Sequence, residues 1–177
     1  MGTTKPDRIR KPLRQDGSSL IETMIAAALV VTVAAGLMAL ACVALATTEN
    51  QGHLLARTSE YCQDKMEQLL ALAFNDSISN TTTIPTSGSG GSGLAIGGGT
   101  NPSSPVSNYV DYLDSTGNIL ASAGAPPANW FYVRVWSIAS INANVKQITV
   151  TTQVNNPVGA LGGRPQSTVT ALKVNPF

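Results

Sequence analysis

The sequence predicts an α+β fold in which one long N-terminal helix packs on a small antiparallel β-sheet of about four strands. No proline occurs between Pro12 and Pro85, so nothing interrupts a helix over the first half of the chain. The second half instead carries short runs rich in β-branched and aromatic residues, separated by turn residues. Only about 100 residues remain after the helix, which suits one small globular domain.

Residues 1–17 form a basic leader. Five of the eleven Lys and Arg residues of the 177-residue chain lie there: Lys5, Arg8, Arg10, Lys11 and Arg14. An excess of Lys and Arg beside an apolar segment marks its cytoplasmic side. We therefore expect the leader in the cytoplasm, and the chain after Thr48 on the other side of the membrane.

Residues 18–48 are predicted to be the membrane-spanning half of the helix. The apolar run extends from Leu20 to Ala46, and no charged residue occurs between Thr23 and Thr48. A bilayer is spanned by about 20 apolar residues, whereas a secretory signal has an apolar region of about 7–15. The segment is therefore expected to be retained as a single-pass anchor.

Glu22 is the unusual residue of this region, because it places a carboxylate at the edge of the apolar run. A charged side chain costs about 2.5–3.5 kcal/mol at the centre of a membrane helix, and less near the interface. Such a residue is by default a functional hypothesis. It predicts that something supplies Glu22 with a positive charge.

The order Gly17, Ser18 and then Leu20-Ile21-Glu22 resembles the N-terminus of type IV prepilins and type II secretion pseudopilins. The resemblance covers roughly residues 10 to 74. It implies cleavage by prepilin peptidase after Gly17, N-methylation of the new first residue Ser18, and pairing of Glu22 with the α-amino group of a neighbouring subunit. The family most often begins its mature chain with Phe, and here the first residue is Ser18.

The same resemblance implies the partners and the location. The partners are prepilin peptidase, other pilin subunits of the filament, the inner-membrane assembly platform and, before assembly, membrane lipid. The protein would be a single-pass inner-membrane protein and then part of a cell-surface pilus or periplasmic pseudopilus. The strand sequences Tyr132–Trp136 and Lys146–Val150 are similar to minor pilins of the PilV type, which favours a minor subunit.

Two alternatives stay open. A type II secretion pseudopilin shares every N-terminal feature of a pilin. A membrane-anchored or lipid-anchored surface domain that never polymerises is the other, because Ala39-Leu40-Ala41-Cys42 loosely resembles a lipoprotein acylation site. Against the lipid anchor, the apolar run continues past Cys42 to Ala46.

Residues 49–74 are predicted to be the amphipathic half of the helix. A stripe at helical spacing is expected to pack on the sheet: Leu55, Cys62, Met66, Leu69 and Ala73. Cys42 and Cys62 would lie about 30 Å apart along this helix, too far for a disulfide. Both are expected to be small buried side chains.

Residues 75–108 are rich in Ser, Thr, Asn and Gly, which predicts a flexible surface loop. The Gly97–Gly99 triplet has no following Gly-Lys-Ser or Gly-Lys-Thr, so it is interpreted as a connector and not as a phosphate-binding loop.

Residues 109–177 are predicted to be the β-sheet part of the domain. A hairpin joins Tyr109–Leu113 to Ile119–Leu120, and later strands cover Trp130–Ile138, Val145–Val154 and Ser167–Val174. Alternation along Trp130–Ile138 predicts one sheet face on the helix and one wetter face.

The sequence supports no catalytic role and no cofactor. His53 is the only histidine, and no nucleophile with its base can be assembled around it. Calcium is a side hypothesis, because Asp111, Asp114 and Asn118 supply oxygen atoms near Gly117. Six basic and eight acidic residues follow Gly17, so charge gives no argument for nucleic-acid binding. The function predicted is structural.

Overall fold

The computed structural model describes residues 20–121, 125–157 and 163–176. The chain divides into two compact units, with the boundary between Ala44 and Leu45. One helix, α1, runs through this boundary from Leu20 to Ala71. The predicted helix extends to residue 74, so the observed helix ends about one turn early.

The second unit contains a six-stranded antiparallel sheet beside the C-terminal part of α1. Its strands are β1 (Gly97–Gly98), β2 (Val110–Leu113), β3 (Ile119–Ala121), β4 (Tyr132–Asn142), β5 (Val145–Val154) and β6 (Gln166–Val174). The strand order is β3-β2-β4-β5-β6, and β1 also pairs with β4. The predicted α+β class is therefore confirmed, with six strands where about four were expected.

The additional strand β1 lies within the segment predicted to be a loop. Gly97 and Gly98 pair with Ile138 and Ser137 of β4, alongside the part of β4 that β2 leaves uncovered. Both glycines have positive φ, and the ring of Tyr109 fills the space that their side chains would occupy. Glycine is the residue that permits this close approach, which is why a glycine triplet forms a strand here.

The main core lies between α1 and the sheet. Cys62, Met66 and Leu69 of the predicted stripe are buried there, against Trp136, Ile138, Ile148 and Val150 of the sheet. Leu55 and Ala73, at the two ends of the stripe, are exposed. A second cluster joins Tyr61 of the helix to Leu113, Tyr132 and Val154. The prediction that the stripe packs on the sheet is thus correct for its central three residues.

The opposite face of the sheet is not uniformly wet, so that prediction was wrong for part of it. Across β2 and β4 this face carries a third apolar cluster of Val110, Tyr112, Val133 and Val135, all at most 2% exposed. Across β5 and β6 the same face is polar. There, hydrogen-bonded cross-strand pairs replace apolar contacts: Thr149 with Thr170, Thr151 with Thr168, and Gln153 with Gln166. The face is thus half apolar and half polar.

The C-terminal end of α1 is held by lysines from the sheet. Carbonyl groups of the last helical turn have no partner within the helix. Lys173 of β6 donates a hydrogen bond to the Leu70 carbonyl, and Lys146 of β5 donates to the carbonyls of Phe74 and Leu94, at 2.7 Å and 2.9 Å. These cations satisfy backbone carbonyl groups at the point where the helix ends. They also interact favourably with the negative end of the helix dipole.

Candidate functional site

The N-terminal part of α1 is an apolar surface that no other described residue covers. Large apolar side chains from Leu20 to Val43 are between 56% and 76% exposed. Successive residues such as Leu29, Val30 and Val31 point about 100° apart, so the exposed apolar surface surrounds the helix. A helix that is apolar on all sides is normally buried in protein or lipid. The described residues contain one helix long and apolar enough to cross a membrane, and it is α1.

Glu22 lies in the first turn of α1 as the structure describes it. Within the described ranges, no hydrogen bond or ion pair joins its carboxylate to another residue. No Lys or Arg follows it until Arg57, about 52 Å further along a straight helix. Gly17 and Ser18, the predicted cleavage and methylation residues, lie outside the described residues. The chain segment that the structure describes therefore supplies no cation to Glu22.

A second set of charged residues is buried between α1 and the sheet. Asp111 of β2 accepts through one carboxylate oxygen, Oδ2, from Lys65 Nζ at 2.8 Å and from Arg134 Nη2 at 2.8 Å and Nε at 3.1 Å. All three side chains are at most 1% exposed. The Lys65 ammonium also lies 4.1 Å from the centre of the Trp136 ring. We call these three residues the ion cluster.

The ion cluster ties the helix to the sheet. Lys65 comes from α1, while Asp111 and Arg134 are directly paired residues on neighbouring strands. Arg134 Nη1 also donates to the Tyr61 carbonyl and to Asp64 Oδ2 of the helix, both at 3.0 Å. Lys65 donates further to the Thr81 carbonyl in the connecting segment. A buried ion pair needs such additional hydrogen bonds to offset desolvation.

The pKa of Lys65 is lowered to about 8 because burial disfavours its charged form, an effect that Asp111 opposes by raising the pKa. Lysine in an unfolded chain has a pKa near 10.4. Between about pH 8 and 10.4 the unfolded state therefore keeps a proton that the folded state releases, and this group's contribution to stability rises with pH. Below about pH 8, the free-energy cost of burying the charged Lys65 ammonium is fully present.

We predict that raising the pH from 8 to 10 increases the free energy of unfolding of the wild type relative to Lys65→Met. The measurement is urea unfolding of both full-length chains in detergent at several pH values. Comparing the two chains cancels the opposing contributions of Cys62 and the tyrosines, whose pKa values burial raises. Parallel pH profiles for the two chains would contradict the prediction.

Of the three residues of the calcium hypothesis, Asp114 and Asn118 contact each other, and Asp111 has other partners. Asp111 faces Lys65 and Arg134, which neutralise its charge. Asp114 instead closes the β2–β3 turn, because its carboxylate accepts hydrogen bonds from the backbone N–H groups of Thr116 and Asn118 at 2.8 Å and 2.9 Å. Hydrogen bonds from Thr116 and Asn118 lower the pKa of Asp114 below its usual range. Local turn geometry therefore accounts for Asp114 and Asn118.

The remaining candidate residues stand apart from one another. His53 is exposed on the helix, and no group of three or more His, Cys, Asp or Glu side chains suited to a metal ion occurs among the described residues. Cys42 is exposed on the apolar helix, contrary to the expectation of burial, whereas Cys62 is buried. The Cys62 thiol donates to Thr152 Oγ1 at 3.2 Å, and burial raises its pKa.

Sequence reasoning missed the ion cluster, although two signals for it were present. Lys65 lies inside the apolar stripe, one residue before Met66 and three after Cys62. Arg134 and Asp111 interrupt apolar strands on the face that packs on the helix. Charged residues are almost never fully buried unless they are paired. Three charges of both signs at otherwise apolar positions therefore predict a buried ion pair.

A scan against protein-family models, a search of curated proteins and a search of solved structures each found no match to this chain.

Proposed function

We propose that the protein is a structural subunit, a minor pilin, of a type IV pilus or pilus-like filament. In this proposal prepilin peptidase removes residues 1–17 by cutting after Gly17, and Ser18 becomes the methylated first residue. Before assembly the subunit resides in the inner membrane, where it contacts the assembly platform. It then joins other pilin subunits through α1.

One observation carries the proposal. The single helix α1 has two halves with opposite environments: the half after Leu45 is the helical layer of the α+β domain, and the half before it exposes apolar side chains on every side. A plain membrane anchor explains the apolar half but leaves Glu22 without a role. A filament explains both, because helices of many copies bury the apolar surface and a neighbouring N-terminus supplies the cation.

The proposed mechanism is packing, with electrostatics setting the register. Apolar helices exchange lipid contacts for contacts with one another, which by itself does not specify a position along the helix axis. A carboxylate buried without a partner is unfavourable, since desolvation is then uncompensated. Docking is therefore favoured in the register where Glu22 meets the free α-amino group at Ser18 of a neighbour.

The ion cluster supports this role by fixing the domain to the helix. A subunit that transmits force through α1 needs its sheet held to that helix. Apolar contacts around Cys62 and Leu69 and charged hydrogen bonds around Asp111 do so together. A type II secretion pseudopilin would use the same features, so the structural role is proposed for either kind of filament.

The test is the intact mass and N-terminal sequence of the membrane-extracted protein from its native host. We expect a chain that begins at Ser18, with an added 14 Da if that residue is methylated. A chain that begins at Met1 or Gly2 would leave a plain membrane anchor, and a chain that begins at an acylated Cys42 would be a lipoprotein. Either of those results would overturn the proposed function.

A further inference from the structure

Six cationic side chains follow Gly17, and one of them differs from the rest. Five have partners within the domain: Arg57 with Glu60, Lys65 and Arg134 with Asp111, Lys146 with two carbonyls, and Lys173 with one. Arg164 is exposed and makes no hydrogen bond or ion pair with any residue in the described ranges. Its charge is therefore available to a group outside the described part of the chain.

Arg164 lies beside the part of α1 that follows the apolar run. It lines a pocket of about 190 Å³ together with Gln51, Leu55, Gly163 and Pro165. The start of β6 is fixed to the same helical turn, because Ser167 Oγ donates to the Leu55 carbonyl at 3.3 Å. Gln51 is only five residues beyond Ala46, where the apolar run ends, or about 7.5 Å along the helix axis.

With the hydrocarbon boundary of a bilayer at the end of the apolar run, this distance places Arg164 at the depth of lipid headgroups. The headgroup layer on each side of a bilayer is about 5–8 Å thick, so a helix that leaves the hydrocarbon at Ala46 crosses that layer near Gln51. A long arginine side chain beside Gln51 reaches the phosphates. The nearest acid along the helix, Glu49, lies two positions before Gln51 and so on a different side of the helix.

The surroundings of Arg164 suit the same location. On its other side, the arginine lines a pocket of about 440 Å³ together with the partly exposed Trp130, whose ring lies 5.5 Å from the ring of the buried Tyr112. Trp and Tyr are enriched at the headgroup level of membranes because their rings are apolar with one polar end. A guanidinium also binds phosphate oxygens in pairs, with geometry that an ammonium lacks.

We infer that Arg164 binds the phosphate of an anionic phospholipid headgroup while the subunit resides in the membrane. This inference rests on the membrane span in the proposed function but not on filament assembly. The contact holds one end of the globular domain at the bilayer surface.

The experiment measures the lipids retained by the full-length chain. The protein is placed in nanodiscs of mixed phosphatidylglycerol and phosphatidylcholine, and the bound lipids are counted by native mass spectrometry. We expect the wild type to retain phosphatidylglycerol preferentially, and Arg164→Gln to lower this preference about fivefold. Arg57→Gln is the matched control: it removes the same charge from an arginine already paired with Glu60, and should leave the preference unchanged.

Two results would overturn the inference directly. Equal losses in Arg164→Gln and Arg57→Gln would show a general charge effect and no site at Arg164. Displacement of phosphatidylglycerol by excess inorganic phosphate would show a free-anion site and not a headgroup site.

The failure of the proposed function is separable from these results. A chain that alkaline carbonate extracts from vesicles would overturn the membrane span and this inference together. A chain that keeps its leader in the native host would overturn filament assembly alone, and the lipid preference of Arg164 would still stand.

Discussion

Replacing Asp111 with alanine should lower the free energy of unfolding of the domain by about 3–5 kcal/mol, which is the range found when one partner of a buried ion pair is removed. Within the described ranges, Asp111 is the only fully buried anion that contacts Lys65 and Arg134, and the three side chains are at most 1% exposed. Without it, two cations remain in the interior with only Asp64, which is 49% exposed, to offset them. The measurement is urea unfolding of the full-length chain in detergent, followed by tryptophan fluorescence.

Two further variants separate charge from packing. Asp111→Asn keeps the shape and removes the charge, so it should lose most of the same stability if charge is the cause. Asp64→Ala removes an anion that also contacts Arg134 but is half exposed, and it should cost only about 1 kcal/mol or less because solvent screens it. Equal losses at Asp64 and Asp111 would contradict the argument.

Replacing all three members of the ion cluster by apolar residues of similar volume, as in Lys65→Met with Asp111→Leu and Arg134→Met, should recover the stability lost in Asp111→Ala. Such replacements of buried ionic groups are often neutral or stabilising, since no charge then needs to be desolvated. Recovery would show that the complete cluster makes little net contribution to stability, although loss of one member is costly.

The elements with strong local patterns were the ones that the sequence predicted well. The helix rests on an apolar run and an uninterrupted helical period, and β4 to β6 rest on β-branched residues, so both follow from local propensity. Strand β1 does not, because Gly97 and Gly98 have no strand preference of their own. They pair with β4 because Tyr109 and Trp136 leave room only for glycine, which is a property of the tertiary structure.

The candidate site residues also differ in whether the sequence alone reveals them. Glu22 is visible in the sequence because the surrounding run is apolar, so one charge stands out. The ion cluster joins residues 65, 111 and 134, and sequence spacing says nothing about which distant charges meet. Asp111 shows the difference most clearly, because its neighbours in the chain suggested a metal ligand while its neighbours in space are two cations. Arg164 likewise becomes notable only once the partners of the other five cations are known.

Replacing Glu22 with alanine should leave membrane insertion intact and reduce incorporation into filaments at least tenfold. Insertion depends on the apolar run from Leu20 to Ala46, which the substitution makes more apolar. In the proposed filament the same substitution would leave the α-amino group of a neighbour buried without an anion, a loss of about 3–5 kcal/mol for each contact. The measurement is the amount of the variant in sheared filaments relative to the amount in the membrane, in the native host.

The controls test whether the position and the charge of this acid both matter. Glu22→Gln keeps the size of the side chain and should fail to assemble, because the amide carries no charge. Glu49→Ala removes an acid that lies beyond the apolar run, and it should assemble as the wild type does. Incorporation of Glu22→Ala at the wild-type level would refute the pairing, since the neighbouring amino group would then be accommodated without this carboxylate. Loss of both Glu22→Ala and Glu22→Gln from the membrane would instead show that Glu22 acts in insertion, which also contradicts an assembly role.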